Sequence, residues 1–409
     1  MPISIILLLC VLLGIAFRKV IPSLIPIWVF MLMGAIFSLI FQQITPLNAI
    51  KAINTDVMLY LFGVFILCQA AEDSGYLEHI TDKLFTHAAT GKVALWIIVF
   101  ILGLSAALLM NDTIAIVGTP IILQLCRSHP HLVKPLLLAL AYAITIGSIP
   151  TPVGNPQNLL IAVKSEMLSP ILIFAKHLII PTIINLGVVF VFIFYCYRKV
   201  LNQTIEKPTP MPIDDKRTVS LVKSGLFVML LLIVLKLFAD FYQWFSLPFS
   251  VIAIAASTPV VLFSKKLWKI LKNIDWGTLI FFASLFILMQ SVWDSHFFQS
   301  LAHQSKLALD QPSTIFIVSV TLSQFISNVP LVALYLPFLS QGGLVSQWLA
   351  LAAGSTIAGN LSLLGAASNV IILQNAEKRG NKGFGFFEFS LLGIPLTIIH
   401  ILIYGWFLQ

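Results

Sequence analysis

The sequence predicts an all-α polytopic membrane protein built from two inverted repeats. Three observations lead to this prediction: an extreme apolar composition, an uneven distribution of basic residues between loops, and motifs that recur in both halves of the chain. The 409 residues are 59% hydrophobic and 10% charged, with a mean hydropathy of +0.99, whereas soluble domains contain about 25% charged residues. A soluble domain is therefore excluded. The net charge of +8 belongs to loops and indicates no nucleic-acid partner.

Apolar segments long enough for a crossing helix, which needs about 20 residues, occur along the whole chain. Two further apolar stretches, 93–126 and 312–340, are too long for one crossing and too short for two with a turn. Each carries polar, helix-breaking residues near its middle, so each is either one broken crossing or a re-entrant hairpin. Hydropathy predicts ordinary crossings near 2–17, 22–42, 56–73, 134–166, 170–197, 223–243, 247–264, 275–296, 346–375 and 387–407.

The distribution of lysine and arginine favours the hairpins, because basic loops concentrate on the cytoplasmic side of a membrane. With two hairpins, nearly all loop Lys and Arg residues fall on one side, and only Lys51, Lys164 and Lys306 fall on the other. With two crossings, the same residues divide much more evenly. The hairpin arrangement predicts an inner-membrane protein whose two termini both lie outside the cytoplasm.

The two halves of the chain share motifs in the same order. FILCQAAEDS at 65–74 matches FILMQSVWDS at 286–295, and VGNPQNLLI at 153–161 parallels LGAASNVII at 364–372. Each half contains five predicted transmembrane helices plus one re-entrant hairpin, so the halves have opposite topology. Inverted repeats of this kind are typical of secondary transporters, with the binding site at the repeat interface near the midplane.

These features divide the chain into a first repeat at 1–200, a cytoplasmic linker at 201–222 and a second repeat at 223–409. Each repeat contains a hairpin followed by a long helix that polar residues interrupt. In chain order, the hairpins and the discontinuous helices occupy 93–126, 134–166, 312–340 and 346–375.

Four polar interruptions therefore lie at membrane depth, two at hairpin tips and two inside long helices. Backbone cannot unwind in contact with lipid, because each unpaired N–H or C=O group there costs several kcal/mol, so these segments must face an enclosed or wet cavity. We expect them to meet and to form an ion or substrate site. Its candidate residues are Asn111, Asp112 and Thr113; Thr151, Gly154, Asn155 and Asn158; Ser327 and Asn328; and Gly365, Ser368 and Asn369.

The chemistry of these residues suits ions. Freed carbonyls and half-helix C-termini bind cations, half-helix N-termini attract anions, and Asn, Ser and Thr oxygens suit a hard ion such as Na⁺. Asp112 requires a functional explanation, because a carboxylate at bilayer depth costs about 2.5–3.5 kcal/mol. It either neutralises a bound cation or carries a proton. Neither Lys nor Arg lies at the interruptions, so an anion would be held by co-bound cations, amides and helix N-termini.

Four motifs, NDTIAIVGTPI, GNPQN, SNVP and GNLSLLGAASNVI, resemble those of the ion transporter superfamily. This superfamily includes citrate carriers, arsenite permeases, divalent anion/sodium symporters and one class of sodium/proton antiporters. The hairpin tips differ from the S-N-T tips of the dicarboxylate branch, since Asp112 and Val329 replace polar uncharged residues. The first tip is more similar to the N-D-G tip of arsenite permeases.

The resemblance implies a scaffold domain, often dimeric, and a transport domain that holds the hairpins and moves like an elevator. It also implies two sites for a coupling cation, which is either Na⁺ or H⁺. Possible Na⁺ ligands are Asn111, Asp112 and Asn158 at one site and Ser327, Asn328 and Asn369 at the other. The cargo would be a small inorganic or carboxylate anion, and no resident cofactor is expected.

Other function classes have less support from the sequence. A Na⁺/H⁺ antiporter or an arsenite-type efflux permease would use Asp112 as the shared site. An intramembrane protease is disfavoured, because HExxH is missing and Asp56, Asp73, Asp275 and Asp294 are predicted at helix ends. A passive channel remains an alternative. The GxxxxGK[ST] signature of ATP-binding loops is also missing, so primary pumping would need a partner subunit.

Two polar features outside the interruptions have structural explanations. Lys236 and Asp240 are spaced i,i+4 near a helix end, which predicts a local ion pair with a lysine that reaches toward the membrane surface. His400 is a lone histidine in the last apolar segment. It is interpreted as a hydrogen-bonded packing residue, with a proton relay as the alternative.

Overall fold

The computed structural model describes residues 2–17, 25–86, 88–165, 167–205, 215–297, 300, 311–326, 328–339, 343–381 and 383–408. These residues are helical apart from turns and one isolated bridge between Thr90 and Thr204. Ser327 and Lys306 lie outside the described residues. In the described ranges, 7 helices are long and apolar enough to cross a membrane. The prediction of an all-α polytopic membrane protein is confirmed.

The first half of the chain forms α1 (Ile3–Phe17), α2 (Ile27–Ile40), α3 (Pro46–Ala52), α4 (Thr55–Asp73), α5 (Tyr76–Phe85), α6 (Gly91–Trp96), α7 (Gly103–Leu109), α8 (Asn111–Leu125), α9 (Val133–Gly147), α10 (Pro156–Lys164) and α11 (Pro170–Leu201). A π-helical stretch, Ile97–Leu102, joins α6 to α7. The second half forms α12 (Lys216–Tyr242), α13 (Phe249–Phe263), α14 (Leu267–Asn273), α15 (Trp276–Asp294), α16 (Pro312–Ile326), α17 (Asn328–Leu339), α18 (Val345–Ile357), α19 (Ala367–Lys378) and α20 (Phe386–Phe407).

The unit α2–α3–α4 has the same plan as the unit α13–α14–α15. The first helix of each unit follows a proline with nearly the same backbone angles, φ −61° and ψ 148° at Pro26 and φ −62° and ψ 148° at Pro248. A helix of 7 residues comes next, and a helix of 19 residues completes each unit. The two units exchange partners, because α2 packs on α15 while α13 packs on α4.

The long helices of these two units also end alike. Gln69 Nε2 donates to Asp73 Oδ1 at 3.2 Å, and Gln290 Nε2 donates to Asp294 Oδ1 at 2.8 Å. The two aspartates are the last residues of α4 and α15, as the sequence indicates. At the other ends, Asn54 and Asp275 accept hydrogen bonds from the backbone of the first turn. These parallels support the internal repeat.

Two half-helices, α9 and α18, are buried by the helices around them. In the segment Pro130–Gly147, 83% of the residues are buried, whereas 28% of the residues are buried in the most apolar window of Lys216–Asp240 in α12. The helix α9 is therefore central and α12 is peripheral. Around α9 lie α7, α8 and α11, and around α18 lie α16, α17 and α20. The two helix breaks follow directly after these buried half-helices.

The chain reverses between α7 and α8. Met110 separates the two helices and has φ +66° and ψ 143°, a conformation that L-residues rarely adopt and that costs about 1–3 kcal/mol. A Cβ added to Gly118 would lie 3.7 Å from Leu102 Cδ1. Gly118 and Leu102 are equally far from Met110 along the chain, so α8 runs back along the helix that precedes it. This geometry supports the first hairpin.

The structure corrects the interpretation of Lys236. Its Nζ lies 3.3 Å from Asp240 Oδ2, so the local ion pair is present, but the two side chains are only 7% and 6% exposed. The Lys236 ammonium lies 5.1 Å from the ring centroid of Phe249, at the start of α13. The expected snorkelling conformation was wrong, because the packed α12–α13 pair gives the ammonium an aromatic face at a cation–π distance.

His400 is fully buried between α20 and α11. Its Nδ1 lies 2.6 Å from Asn185 Oδ1, and Asn185 Nδ2 donates to the Pro181 carbonyl oxygen at 2.7 Å. Because an amide oxygen only accepts, Nδ1 must carry the hydrogen. This pair supports the packing role, and the relay role stays a prediction.

Candidate functional site

The first long helix breaks between α9 and α10. Pro152–Gly154 forms a 3₁₀ turn, and Asn155 is extended at φ −156° and ψ 160°. Asn155 Oδ1 then accepts from the Asn158 backbone N–H at 2.9 Å and caps α10, while its Nδ2 donates to Ser148 Oγ at 3.0 Å. Proline and an N-capping asparagine therefore end one helix and start the next.

Asn158 holds this break open. Its side chain is fully buried, and its Nδ2 donates to the Ile149 and Thr151 carbonyl oxygens at 3.1 and 3.2 Å. The Ile149 carbonyl follows the end of α9, where carbonyls lose their helical partners, and the Thr151 carbonyl also accepts from the Gly154 N–H at 3.4 Å. Because the NH₂ group must face carbonyls, the amide orientation is fixed. The Oδ1 atom is buried with no hydrogen-bond partner among the described residues.

The second long helix breaks in the same way between α18 and α19. Leu363–Gly365 forms a 3₁₀ turn, and Ser362 (φ −140°, ψ 155°) has almost the backbone angles of Thr151 (φ −139°, ψ 151°). Asn369 Nδ2 donates to the Gly359 carbonyl oxygen at 2.7 Å. Within the described ranges, Asn369 Oδ1 and the nearby Ser368 Oγ are buried without a partner. Each break thus ends with an amide oxygen that only accepts.

The turn between α7 and α8 and the start of α17, where the sequence predicts the hairpin tips, lie against these breaks. Thr151 Oγ1 donates to the Ala107 carbonyl oxygen in α7, which joins the first hairpin to the first break. Asn328 Nδ2 lies 3.7 Å from the position that a Cβ on Gly359 would occupy, which puts the second tip beside the second break. Buried Asn328 Oδ1 has no partner in the part of the chain that the structure describes.

The first tip also contacts α4. Asn111 begins α8 and is buried, and its Oδ1 accepts from the Asp112 backbone N–H at 3.0 Å. Thr113 Oγ1 lies 3.5 Å from Cys68 Sγ in α4. Asp112 is partly exposed. A carboxylate in the first turn of a helix interacts favourably with the helix dipole.

The two breaks are joined to each other. Asn155 Nδ2 and Gln157 Nε2 both donate to Thr356 Oγ1, at 3.4 and 3.2 Å. Asn360 Nδ2 donates to the Tyr142 carbonyl oxygen at 3.4 Å and leaves a buried Oδ1 without a partner among the described residues. The half-helices after the breaks exchange neighbours, since α10 packs on α17 and α19 packs on α8. The structure therefore brings the four interruptions together.

The sequence analysis missed several of these residues. Gln157, Thr356 and Asn360 link the breaks, and Gln324 in α16 donates to the Ala358 carbonyl oxygen at 2.8 Å and accepts from Ser362 Oγ at 2.9 Å. Gln157 and Asn360 lie inside the GNPQN and GNLS motifs. They could have been identified as candidates from these motifs. No local pattern identifies Thr356 or Gln324.

At the breaks, the amide groups without a partner among the described residues are oxygen acceptors, because the NH₂ groups of Asn158, Asn360 and Asn369 are used within the protein. A buried acceptor without a partner costs about 1–3 kcal/mol, and a cation relieves that cost. No group of three His, Cys, Asp or Glu residues that could hold a metal occurs among the described residues. The donor set of amide, hydroxyl and carbonyl oxygens fits a hard cation rather than a transition metal.

Gly154 tests whether the shape of the first break matters. A Cβ at this position would lie 2.1 Å from the Ser148 carbonyl oxygen, so Gly154→Ala must shift backbone that carries the site. We expect a loss of about 1–3 kcal/mol of stability and at least a tenfold loss of transport, measured as thermal unfolding and uptake. The matched control is Gly187→Ala in α11, where the added Cβ meets open space; equal effects of the two variants would contradict this expectation.

Comparison with known proteins gives the family. The profile of the family described as "CitMHS: Citrate transporter" matches residues 9–353. The chain belongs to the citrate transporter family. The resemblance to the ion transporter superfamily is thereby confirmed. This citrate transporter family protein is 26% identical to the 46 kDa membrane protein of Mycobacterium leprae, over 87% of this chain and 86% of that one.

Other relatives are named as transporters. The silicon efflux transporter LSI3 of Oryza sativa is 23% identical over 90% of this chain and 89% of its own, and the putative transporter arsB of Dictyostelium discoideum is 22% identical over 91% and 85%. Among solved structures, the Alcanivorax borkumensis YdaH transporter matches with a TM-score of 0.57 at 15% identity, over 99% of this chain and 96% of that one. The citrate transporter family protein is thus a multi-pass membrane transporter of ions or anions.

Proposed function

We propose that the protein is a secondary active transporter that moves a small anion or oxyanion across the inner membrane, coupled to Na⁺ or H⁺. The observation that carries this proposal is the pair of matching helix breaks, each beside a predicted hairpin tip and each with a buried amide oxygen that has no partner among the described residues. We expect one ion site at each break, because transporters with discontinuous helices bind their coupling ions where those helices are interrupted.

The coupling cation would be held by the free acceptors. Asn158, Asn328 and Asn369 each contribute a buried side-chain oxygen, and the ends of α9 and α18 add the negative ends of their helix dipoles. Asp112 supplies the formal negative charge. We propose one cation site at Asn111, Asp112 and Asn158 and another at Ser327, Asn328 and Asn369, with H⁺ on Asp112 as the alternative to Na⁺.

The anion would be held by the positive ends of half-helices. The helices α8, α10, α17 and α19 all begin at the tips or the breaks, and helix N-termini bind anions through their free N–H groups. Thr113, Thr151, Gly154, Asn155, Gly365 and Ser368 line or shape these segments. The lack of Lys and Arg there makes anion binding depend on the cation, which is the basis of coupling in this proposal.

An elevator-type motion fits the division of the fold. The interlocked helices α1–α4 and α12–α15 would form a scaffold, and the helices from α6 to α11 and from α16 to α20 would carry the site. The proposal includes inverted topology of the two repeats, a homodimer built on the scaffold, and both termini outside the cytoplasm. The substrate is a small carboxylate or an oxyanion, in line with the family description and with the relatives named for silicon efflux and arsB.

Uptake into proteoliposomes tests the proposal. Citrate and phosphate, which are anions at neutral pH, and arsenite, which is mostly uncharged there, are offered in turn under an imposed Na⁺ gradient, an imposed H⁺ gradient or neither. We expect one of them to accumulate above its equilibrium level under one gradient only. Na⁺ movement driven by a pH gradient in the absence of every anion would instead establish the antiporter, which the Asp112 carboxylate at the first tip favours. Equilibration of every offered solute without accumulation under both gradients would contradict the anion transporter, and both functions would be contradicted if a pH gradient also drove no Na⁺ movement.

A further inference from the structure

A cluster of basic side chains covers the turn between α13 and α15. It consists of Lys265, Lys266, Lys269 and Lys272 around the short helix α14, together with Lys216 and Arg217 at the start of α12, and we name it the basic elbow. All these side chains are exposed. The cluster lies at one end of the α12–α15 bundle, directly beside apolar helices of membrane-crossing composition.

The basic elbow is held in place by packing and by contacts between α12 and α14. Ile270 and Ile274 are buried, and α14 packs on α4. Lys266 Nζ lies 2.8 Å from Asp215 Oδ2, and Arg217 Nη2 donates to the Phe263 carbonyl oxygen at 3.1 Å. The charged surface is therefore part of the fold.

Acidic residues do not neutralise this surface. Lys266 and the Thr218 N–H lower the pKa of Asp215 to about 2, so this carboxylate is charged and offsets one lysine. Asp73 lies 4.0 Å from Lys269, and the carboxylate oxygens of Asp275 accept from Thr278. Among the described residues, Lys265 and Lys272 form no ion pair. An excess of positive charge remains at the surface.

Large apolar side chains surround the lysines. Trp268 is 85% exposed in the first turn of α14, and Leu262 and Phe263 at the end of α13 are 66% and 58% exposed. Tryptophan is enriched at the membrane–water interface, where an amphipathic ring sits at headgroup level. Lysines at this level reach phosphate groups with their charged ends while their stems stay in apolar surroundings.

The matching helix α3 shows that the fold does not require lysines here. It has the same length as α14 and packs on α15 as α14 packs on α4. Its exposed side carries Leu47 and Ile50, 62% and 70% exposed, and a single lysine, Lys51. The basic residues are therefore specific to one of two equivalent positions.

From the clustered charge, the exposed indole and the apolar rim, we propose that the basic elbow binds the phosphate groups of anionic phospholipids. Clusters of basic residues next to membrane-crossing helices attract anionic headgroups, by about fivefold in affinity per side chain. The attraction falls with added salt, because the charges are exposed and screened.

Lipid retention by the purified full-length protein tests this site. The protein is incubated with mixed micelles of phosphatidylglycerol and phosphatidylcholine, and the bound lipids are counted by native mass spectrometry. We expect the wild type to retain phosphatidylglycerol preferentially. The double variant Lys265→Gln/Lys272→Gln, which leaves both acidic pairs intact, is expected to lower this preference about 25-fold. Lys265→Arg/Lys272→Arg is expected to restore it.

Lys51→Gln on α3 is the matched control and is expected to leave the preference unchanged. An unaltered preference in Lys265→Gln/Lys272→Gln would overturn the proposal, and so would an equal loss in Lys51→Gln. Thermal unfolding with inorganic phosphate in place of lipid separates a headgroup site from a soluble-anion site. We expect phosphate at millimolar concentration to change the unfolding temperature of the wild type and of Lys265→Gln/Lys272→Gln by the same amount, and stabilisation that the double variant loses would also overturn the proposal. Transport assays are independent of each of these readouts.

Discussion

Asn158→Ala is expected to lower gradient-driven accumulation of substrate by about 100-fold. The alanine removes the NH₂ group that pairs the Ile149 and Thr151 carbonyl oxygens and also the buried Oδ1 that has no partner among the described residues. Loss of a buried group with such bonds costs about 1–3 kcal/mol, and a 100-fold effect corresponds to about 2.7 kcal/mol. Initial rates of uptake into proteoliposomes measure the effect. Asn369→Ala is expected to behave alike.

The control for this prediction is another buried asparagine. Asn185 also donates from its amide NH₂ group, but its Oδ1 already accepts from His400 Nδ1, so Asn185→Ala removes buried hydrogen bonds without removing an acceptor that lacks a partner among the described residues. We expect it to lower the unfolding temperature about as much as Asn158→Ala and to keep transport within a few-fold of wild type. Similar uptake by these two variants would show that the free oxygen has no special role.

The polar interruptions could be found from the sequence because they violate a physical rule. Asn, Asp and Pro residues in an apolar run are costly in lipid, so Asn111–Asp112 and the GNPQN segment stood out. The structure begins new helices at Asn111, Pro156 and Ala367, which agrees with unwinding just before these positions. Helix ends such as Asp73 and Asp294 were visible for the same reason.

The partners of the interruptions could not be found in this way. Thr356 receives hydrogen bonds from Asn155 and Gln157, which lie in the other half of the chain, and its own surroundings in sequence are ordinary helix. The side-chain oxygen of an asparagine lacks a hydrogen-bond partner only when its NH₂ group faces the available carbonyls. The positions of those carbonyls are known only from the folded backbone. The burial of Lys236 was missed for a related reason, because the Phe249 ring that covers it comes from the next helix.

The packing of helices from one half on helices of the other half could not be predicted from the sequence either. Motif matches relate α4 to α15 and α10 to α19, but they do not say that α13 packs on α4 or that α10 packs on α17. Such contacts join residues that are far apart in sequence and depend on shape. The consequence for the site is that each half-helix after a break packs on a helix of the other half, α10 on α17 and α19 on α8.

Asp112→Asn is expected to abolish coupling to the cation gradient while leaving the first tip folded. The substitution keeps the side-chain size and the backbone bond from the Asp112 N–H to Asn111 Oδ1, but it removes the formal charge of this tip. At the second tip, the residue after Asn328 is Val329, which cannot replace that charge. Binding energy for the cation falls accordingly, and the anion loses the positive partner that makes up for the lack of Lys and Arg at the breaks.

The measurement is accumulation in proteoliposomes under an inward Na⁺ gradient and, separately, an inward H⁺ gradient. We expect the wild type to respond to one gradient and Asp112→Asn to respond to neither, with a drop of about 100-fold, or about 2.7 kcal/mol. Asp112→Glu, which restores the charge, is expected to regain part of the response. Asp294→Asn makes the same chemical change at the end of α15 and is expected to transport normally. Undiminished accumulation by Asp112→Asn would remove the carboxylate from the coupling mechanism and leave the neutral oxygens of the two breaks as the whole cation site.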